Sequence, residues 1–532
     1  MSNAWRVKLR EVDAAAPGVA AFRRIVGNGG ESAAQEGIWL DSSLQQSEHY
    51  GRTFSILCPA DGPLNSLVRL WITDAPASDV AAGRSSFSSD ATSWSITGNS
   101  PVAEHLRSCV NAPSSVFHVL RAGLELVGSG SGEAQGANPS GFNLGWIGAF
   151  GYELKHHCEV IRQSPTAVPR PHRSEYPDAM LMLADRAVIT DHAESRSYIL
   201  ALTSNDPAHS EVAAQQREWM NWVETVIREL ASAGSAEQPD AHASAAEATP
   251  SSSSAVYRFD HSREEYFECV RSAQASIAAG DTYELCLTTT AEGPALEDPF
   301  ATYQQLRATS PVPYGAYMNL AGTHVLSASP ERFLKVTEEG TISAKPIKGT
   351  RGRSDDAVLD GAWRRDLETN PKDRAENLMI VDLLRNDLSV VAAPGSVRVP
   401  TLFGVESYSH VHQLVSTVEA QLAEGYSAVD VLAAAFPGGS ITGAPKVRTM
   451  ELIEALERRA RGLYSGCIGW MSFAGAADLS ITIRTVVGNE RASTFGVGGA
   501  IVADSTPEGE WDEVVVKSQA LLQGLHATRQ QR

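Results

Sequence analysis

Lys348 stands in the stretch SAKPIKGTRGR (343–353), between Ile347 and a Gly-Thr pair. An amine there can solubilise a surface, contact an anion or attack an electrophile. Attack requires the neutral form, and from a reference pKa near 10.4 deprotonation costs roughly 4.6 kcal/mol at pH 7. Burial and neighbouring cations lower that cost, and Lys345, Arg351 and Lys446 are the candidates in this chain. If one strand runs through both lysines, Lys345 and Lys348 face opposite ways. On local sequence alone, a lysine beside Arg351 and Arg353 is more often an anion contact than a nucleophile.

Two pairs of acids stand three residues apart: Asp373 with Glu376, and Glu510 with Glu513. On a helix such a pair shares a face and can aim oxygen atoms at one point, which suits Mg²⁺. The alternative is plainer: acids in a first turn complement the helix dipole, and Glu513 pairs with Lys517. In GGSITGAPKVRTMELI, Pro445 begins a helix whose N-terminus, with Lys446 and Arg448, is either an anion site or an ordinary start. Gly496, Gly498 and Gly499 in GVGGAIVADS allow close approach of a ligand or mark a bulge. They do not form GxGxxG, so no dinucleotide is implied. Arg484 falls on the polar face of an alternating stretch, where it would hold a carboxylate or simply reach water. Glu331, in SASPERF, is a turn residue or a catalytic acid.

The elements that must position these groups lie mostly in the second half of the 532 residues. THVLSASPERFLKV and TISAKPIKG read as strands joined by tight turns, and DLSITIRTVV alternates strictly as one strand. RAENLMIVDLLRNDLSVV is apolar nearly all round at 378–384 and reads as a buried helix, and GEWDEVVVKSQALLQGL as a final amphipathic one. Antiparallel strands interspersed with helices indicate α+β rather than a doubly wound sheet. Segments 83–100, 128–141 and 231–254 read as loops or linkers from composition, the last being the clearest boundary.

The net charge of −19 argues against nucleic acid as main partner, while a local cluster of cations can still serve a small anion. No apolar run approaches the roughly 18 residues needed to cross a bilayer, and charges crowd the first residues, so a cytoplasmic protein is expected. Cys58, Cys109, Cys158, Cys269, Cys286 and Cys467 have neither metal spacing nor a disulfide pattern and are expected to be free thiols.

Taken in order, YELCLT, SASPERF, KPIKGTRGR, AENLMIVDLLRNDL, VHQLVSTV, GGSITGAPKVRTMELI, YSGCIGW, ITIRTVV and GGAIVADS with EWDEVVVKSQALL closely resemble the chorismate-utilising enzymes. The resemblance is strong over 257–525 and looser through GIWLDSS and GWIGAFGYELK. It implies a composite α+β fold with a β-sandwich-like core of antiparallel sheets flanked by helices. The expected regions are 1–230, a linker at 231–256 and a catalytic region at 257–528. Relatives that release an aromatic acid or isochorismate resemble PIAGT or PLAGT where this chain has PIKGT. The lysine is the mark of the aminodeoxychorismate synthase branch, thought to attack C2 of chorismate as the C4 hydroxyl leaves, before ammonia enters at C4.

The same resemblance implies that Glu331 is the general acid and that Glu376 and Glu513, with Asp373 and Glu510, hold Mg²⁺. Gly349, Thr350, Tyr464, Arg484, Gly498 and Gly499 match positions that bind the substrate. Gln413 stands where pyruvate-eliminating relatives have histidine, with His412 one place too early. Glu284 replaces a glutamine, or the lysine base of the isochorismate-forming relatives, and its role is open. No glutaminase elbow is present, so a glutamine amidotransferase partner is expected to deliver ammonia. Leu40 and Ser42, in the Trp39–Ser43 segment, resemble an effector pocket, with a plain strand edge as the alternative. The activities implied are formation of 4-amino-4-deoxychorismate, for 4-aminobenzoate and folate or for a secondary metabolite. The rivals are an anthranilate synthase component I and a silent chorismate-binding subunit.

Overall fold

The alternating stretch DLSITIRTVV is divided between two sheets. In the computed structural model, which describes residues 5–27, 36–42, 53–71, 86–89, 92–110, 115–127, 138–158, 172–234, 255–408 and 411–529, Ala477–Ile481 and Thr485–Gly488 are separate strands. Each belongs to a different sheet. The same happens in THVLSASPERFLKV, where Thr323–Ser329 and Arg332–Val336 lie in different sheets rather than forming a hairpin.

Among the described residues, one sheet has thirteen strands and the other twelve. Pairing is antiparallel almost throughout, with Ala255–Phe259 and Ala527–Arg529 a parallel pair. The sheets face each other across one buried cluster, which takes Ile38, Met318 and Val325 from the larger and Ile147, Leu181 and Leu479 from the smaller. Strand periodicity then sends neighbours to opposite faces. Ile38 enters this inter-sheet core, whereas Trp39 packs on the outer face against Phe22, Phe300 and Tyr303. That outer face is covered by helices, including Gly18–Ile25, Ser210–Gly234, Arg263–Ala278, Pro299–Thr309 and Pro507–Gly524. The α+β class and the sandwich-like core are therefore as the sequence indicates.

The two halves of the chain share both sheets. Gly37–Asp41 pairs with Tyr314–Leu320, and Gly145–Phe150 pairs with Cys467–Ser472. Two boundaries differ from composition. The helix Ser210–Gly234 runs into the expected linker, and Ala255–Phe259 begins a strand before its end; residues 235–254 lie outside the described set. The expected loop at 83–100 contains the strands Ser86–Ser89 and Thr92–Ile96, and most of 128–141 lies outside the described residues. The helix Pro371–Ser389 is buried on one face only, through Ile380, Val381, Leu384 and Leu388, while Leu378 is half exposed. Its apolar run overstated its burial because leucine is tolerated at a helix surface. All six cysteines are free.

Candidate active site

Lys348 sits on an irregularity. The strand Thr341–Ala344 ends before Lys345 and Pro346, and Ile347–Gly352 resumes with a register shift between Ile347 and Thr350 against Val411–Gln421. An inserted residue of this kind re-aims a side chain. Gly349 turns the corner at φ +90°, and a Cβ there would lie 2.9 Å from Asp373 Cγ and from Leu367 Cδ1. Conformation and space both demand glycine. The two lysines then diverge: Lys345 pairs with Glu406 at 2.7 Å, and Lys348 with Glu284 at 2.5 Å.

The surroundings of Lys348 are acidic, which corrects the expectation that cations would ease its deprotonation. Lys345, Arg351 and Lys446 are each taken up elsewhere, by Glu406, by Asp366 and Asp373, and by Asp387. Burial works to lower the Lys348 pKa, but the charges of Glu284 and Glu376 outweigh it and hold the amine well above its ordinary value. Glu284 begins the strand Glu284–Pro294 and is fully buried. Its second carboxylate oxygen, Oε2, is buried without a hydrogen-bond partner among the described residues. Its partnership with Lys348 escaped the sequence reading. The signal available was an acid opening the apolar and threonine-rich run ELCLTTT.

Glu331 and Arg484 occupy two of the places where the chain passes between sheets, and these two crossings run side by side. Ile481 N–H donates to the Glu331 carbonyl at 3.0 Å, Ser329 Oγ donates to the Ile481 carbonyl at 2.6 Å, and Ala328 N–H donates to the Arg484 carbonyl at 3.0 Å. The Glu331 carboxyl is pushed up to about 7 by burial, against the pull of hydrogen bonds from Ser440 and the Ile347 N–H and the charge of Lys348. A carboxyl poised there can donate a proton at neutral pH. Arg484 is not on a strand face as expected: it is exposed, in left-handed backbone at φ +50°. Its guanidinium makes no ion pair or side-chain hydrogen bond among the described residues. Such strain in a non-glycine residue is characteristic of ligand-binding positions.

The four acids lie at the starts of two helices. Glu510 and Glu513, on Pro507–Gly524, both crowd Gly499: a Cβ there would meet Glu510 Oε2 at 3.0 Å and Glu513 Oε1 at 3.1 Å. Glu510 Oε1 accepts from Ser505 Oγ at 2.6 Å while its buried Oε2 has no partner among the described residues. Burial raises the Glu510 pKa, and burial also takes Glu376 to about 7 despite Lys348. Glu513 pairs with Lys517 at 2.6 Å. Asp373 is held by Arg351 at 2.7 Å, beneath Gly349. No three acids, histidines or cysteines converge to ligand distance among the described residues. The orphaned Glu510 oxygen beside the half-exposed Glu513 offers hard oxygen donors of the type that suits a cation, whereas Asp373 is taken up by Arg351.

The remaining expected residues divide. Lys517 Nζ donates to the Gly498 carbonyl at 2.9 Å, so Gly498 adjoins the acids. Thr350 is exposed, opposite Gln413 in the ladder. Tyr464 lies over Gly496 and lines a cavity of about 780 Å³ with Arg258, Arg459 and Thr485; neither Lys348 nor Glu331 is in its walls. His412 turns away from the site, bonded to Ser407 Oγ at 2.7 Å and Asp360 at 3.1 Å. Lys446 and Arg448 do not form the anion site considered from sequence, because Asp387 and the pair Asp281 and Glu451 occupy them. Leu40 and Ser42 line a separate cavity of about 120 Å³ between the sheets, with Tyr314, Arg332, Trp470 and Asp478.

A family model described as chorismate binding enzyme matches residues 114–523. The chain belongs to the chorismate-binding enzyme family. Among chorismate-binding enzymes it is 45% identical over 387 residues to the aminodeoxychorismate synthase of Streptomyces griseus, covering 73% of this chain and 51% of that one. It thus spans about half the length of the first curated relatives it matches. It is 38% identical to aminodeoxychorismate synthase component 1 of Salmonella typhimurium, covering 72% of this chain and 77% of that one. Anthranilate synthase component 1 of Aquifex aeolicus is 35% identical, with 72% and 74% covered. The solved structure of anthranilate synthase component I from Streptococcus pneumoniae shares the fold, with a TM-score of 0.62 at 23% identity over 88% of this chain and 92% of that one.

Proposed function

We propose that this chain converts chorismate and ammonia into 4-amino-4-deoxychorismate with Mg²⁺, in the cytoplasm, with ammonia delivered by a glutamine amidotransferase. The observation that carries the reading is Lys348, a buried amine presented by a bulge beside the protonatable Glu331. Similarity to proteins named aminodeoxychorismate synthase supports it. Glu376, Glu510 and Glu513 would hold Mg²⁺, which supplies positive charge for the ring carboxylate. Arg484 offers an unpaired guanidinium to a second carboxylate, so a protein of net charge −19 accommodates a dianion.

In this reading the Lys348 amine bonds to C2 of the ring as the double bonds shift and the C4 hydroxyl departs. Glu331 protonates that hydroxyl, which leaves as water. Ammonia then bonds to C4, the double bonds return, and the lysine nitrogen leaves C2 with its electron pair. The enolpyruvyl arm is retained, in keeping with Gln413 where eliminating relatives have histidine. Purified protein with chorismate, Mg²⁺ and ammonium, analysed by mass spectrometry, tests the reading. 4-Amino-4-deoxychorismate is expected from the wild type and not from Lys348→Ala. A fluorescent aromatic acid formed without any lyase would identify an anthranilate synthase, and no turnover at all a silent subunit.

A further inference from the structure

Before Lys348 can bond to a ring carbon, its ammonium must lose a proton, and the site surrounds it with acids. We propose that Glu284 takes this proton and is the base that makes Lys348 a nucleophile; the proposal rests on the covalent role of Lys348 given above. Glu284 Oε1 is 2.5 Å from Lys348 Nζ, and the two side chains are 2% and 10% exposed. Little solvent reaches this pair, so the shortest path for the proton is between the two atoms. Glu284 Oε2, buried and without a partner among the described residues, leaves the carboxylate free to rearrange its proton.

The other groups that face Lys348 are unsuited. They are Cys286 from the same strand, Glu376 from the helix Pro371–Ser389 and Glu331 at the crossing, with Lys517 behind Glu331 and Cys286. Cys286 is buried, and burial raises its thiol pKa so that it stays protonated and cannot take a proton. Glu331 must itself hold a proton to release the hydroxyl. Glu376 is counted among the metal-holding acids and makes no hydrogen bond to Lys348 among the described residues.

In the substrate-free protein the ion pair is the stable form. A substrate seated over it removes the remaining solvent, and desolvation penalises two charges far more than a neutral amine beside a neutral acid. The proton passes from Nζ to Oε1, the freed electron pair forms the Nζ–C2 bond, and the C4–O bond breaks with its electrons and the Glu331 proton to give water. The resulting secondary ammonium leaves C2 as the neutral amine when ammonia bonds to C4, and Glu284 returns its proton to that amine as product departs. The product ammonium loses one proton to restore Glu331, so chorismate and ammonia give 4-amino-4-deoxychorismate and water.

The test compares wild type, Glu284→Gln, Glu284→Asp and Lys348→Ala in the ammonium assay from pH 6 to 9, with chorismate binding measured by calorimetric titration. Glu284→Gln is expected to bind chorismate, to turn over at least tenfold more slowly at pH 7, and to gain on the wild type by about tenfold per pH unit as hydroxide replaces the lost base, which flattens the alkaline fall set by Glu331. Glu284→Asp, one methylene short, should regain part of the rate with the wild-type profile. Glu284→Gln as fast as wild type, or faster, would mean that Glu284 only balances the lysine charge and overturns the proposal. So would Glu284→Asp matching Glu284→Gln in rate and profile. If the wild type itself forms no 4-amino-4-deoxychorismate, the functional reading fails; if only Lys348→Ala loses activity, the role of Glu284 alone falls.

Discussion

Glu331 is a carboxyl whose proton affinity is set by burial, and its pKa near 7 gives activity a definite pH sign. A general acid works only while protonated, so kcat is expected to fall about tenfold per unit once pH passes well above 7. Glu331→Gln, which keeps the shape and removes the transferable proton, should lose on the order of 10²–10⁴ in kcat and the pH dependence with it. A variant that retained the falling limb would assign it to another group. Gly499 makes a second residue-scale case. A methyl there would press on the carboxylate ends of Glu510 and Glu513 at 3.0 and 3.1 Å. Those ends can yield, so Gly499→Ala should fold normally and yet need several-fold more Mg²⁺ for half-maximal activity; an unchanged Mg²⁺ titration would separate these acids from the metal. Residue types at this scale were legible, since lysine after PI, the acid pairs and the glycine cluster all stand out in the string. Their partners were not, because Glu284 and Lys348 are 64 residues apart and nothing local joins them.

At the scale of elements, strands were recognisable by their period of two, but the sheet to which each belongs was not. ITIRTVV alternates without a break while the chain leaves one sheet at Ile481 and enters the other at Thr485. Alternation survives because both strands bury a face against the same core, and only hydrogen bonding reveals the crossing. Ser329 fastens it: its hydroxyl, fully buried, donates to the Ile481 carbonyl at 2.6 Å. Ser329→Ala removes one of two bonds to that carbonyl, which keeps the Ile483 N–H at 3.0 Å, and costs about 0.5–1.5 kcal/mol. The denaturant midpoint should fall accordingly, and kcat should fall further than stability explains, because Glu331 and Arg484 are on the two crossing segments. An equal stability and rate would show that the crossings are held by the backbone alone.

For the whole molecule, the loose resemblance of the first half concealed how completely it is woven into the second. The strand Gly145–Phe150 lies between Cys467–Ser472 and Ala179–Ala184 in one sheet. The Glu153 carboxylate accepts the Arg461 and Gly462 N–H groups at 2.9 Å each. Arg461 continues the link: it pairs with Glu457 at 2.6 Å, both side chains 1% exposed, and donates to the Ile441 and Cys286 carbonyls at 2.8 Å. Glu457 in turn accepts from Thr288 N–H and Oγ at 2.8 Å. Burial works to raise the Glu457 pKa, but the guanidiniums of Arg461 and Arg459 outweigh it and hold it below the ordinary 4.5. A depressed carboxylate stabilises the fold at pH values above its unfolded pKa, and that stability is lost as pH falls through the folded value. Glu457→Gln strands Arg461 as an uncompensated buried charge, for which about 3–5 kcal/mol is expected at neutral pH. Denaturant midpoints measured from pH 7 down to 3 should therefore start lower in the variant and decline less steeply than in the wild type. Parallel curves would mean that the acid sensitivity of the fold arises from other carboxylates.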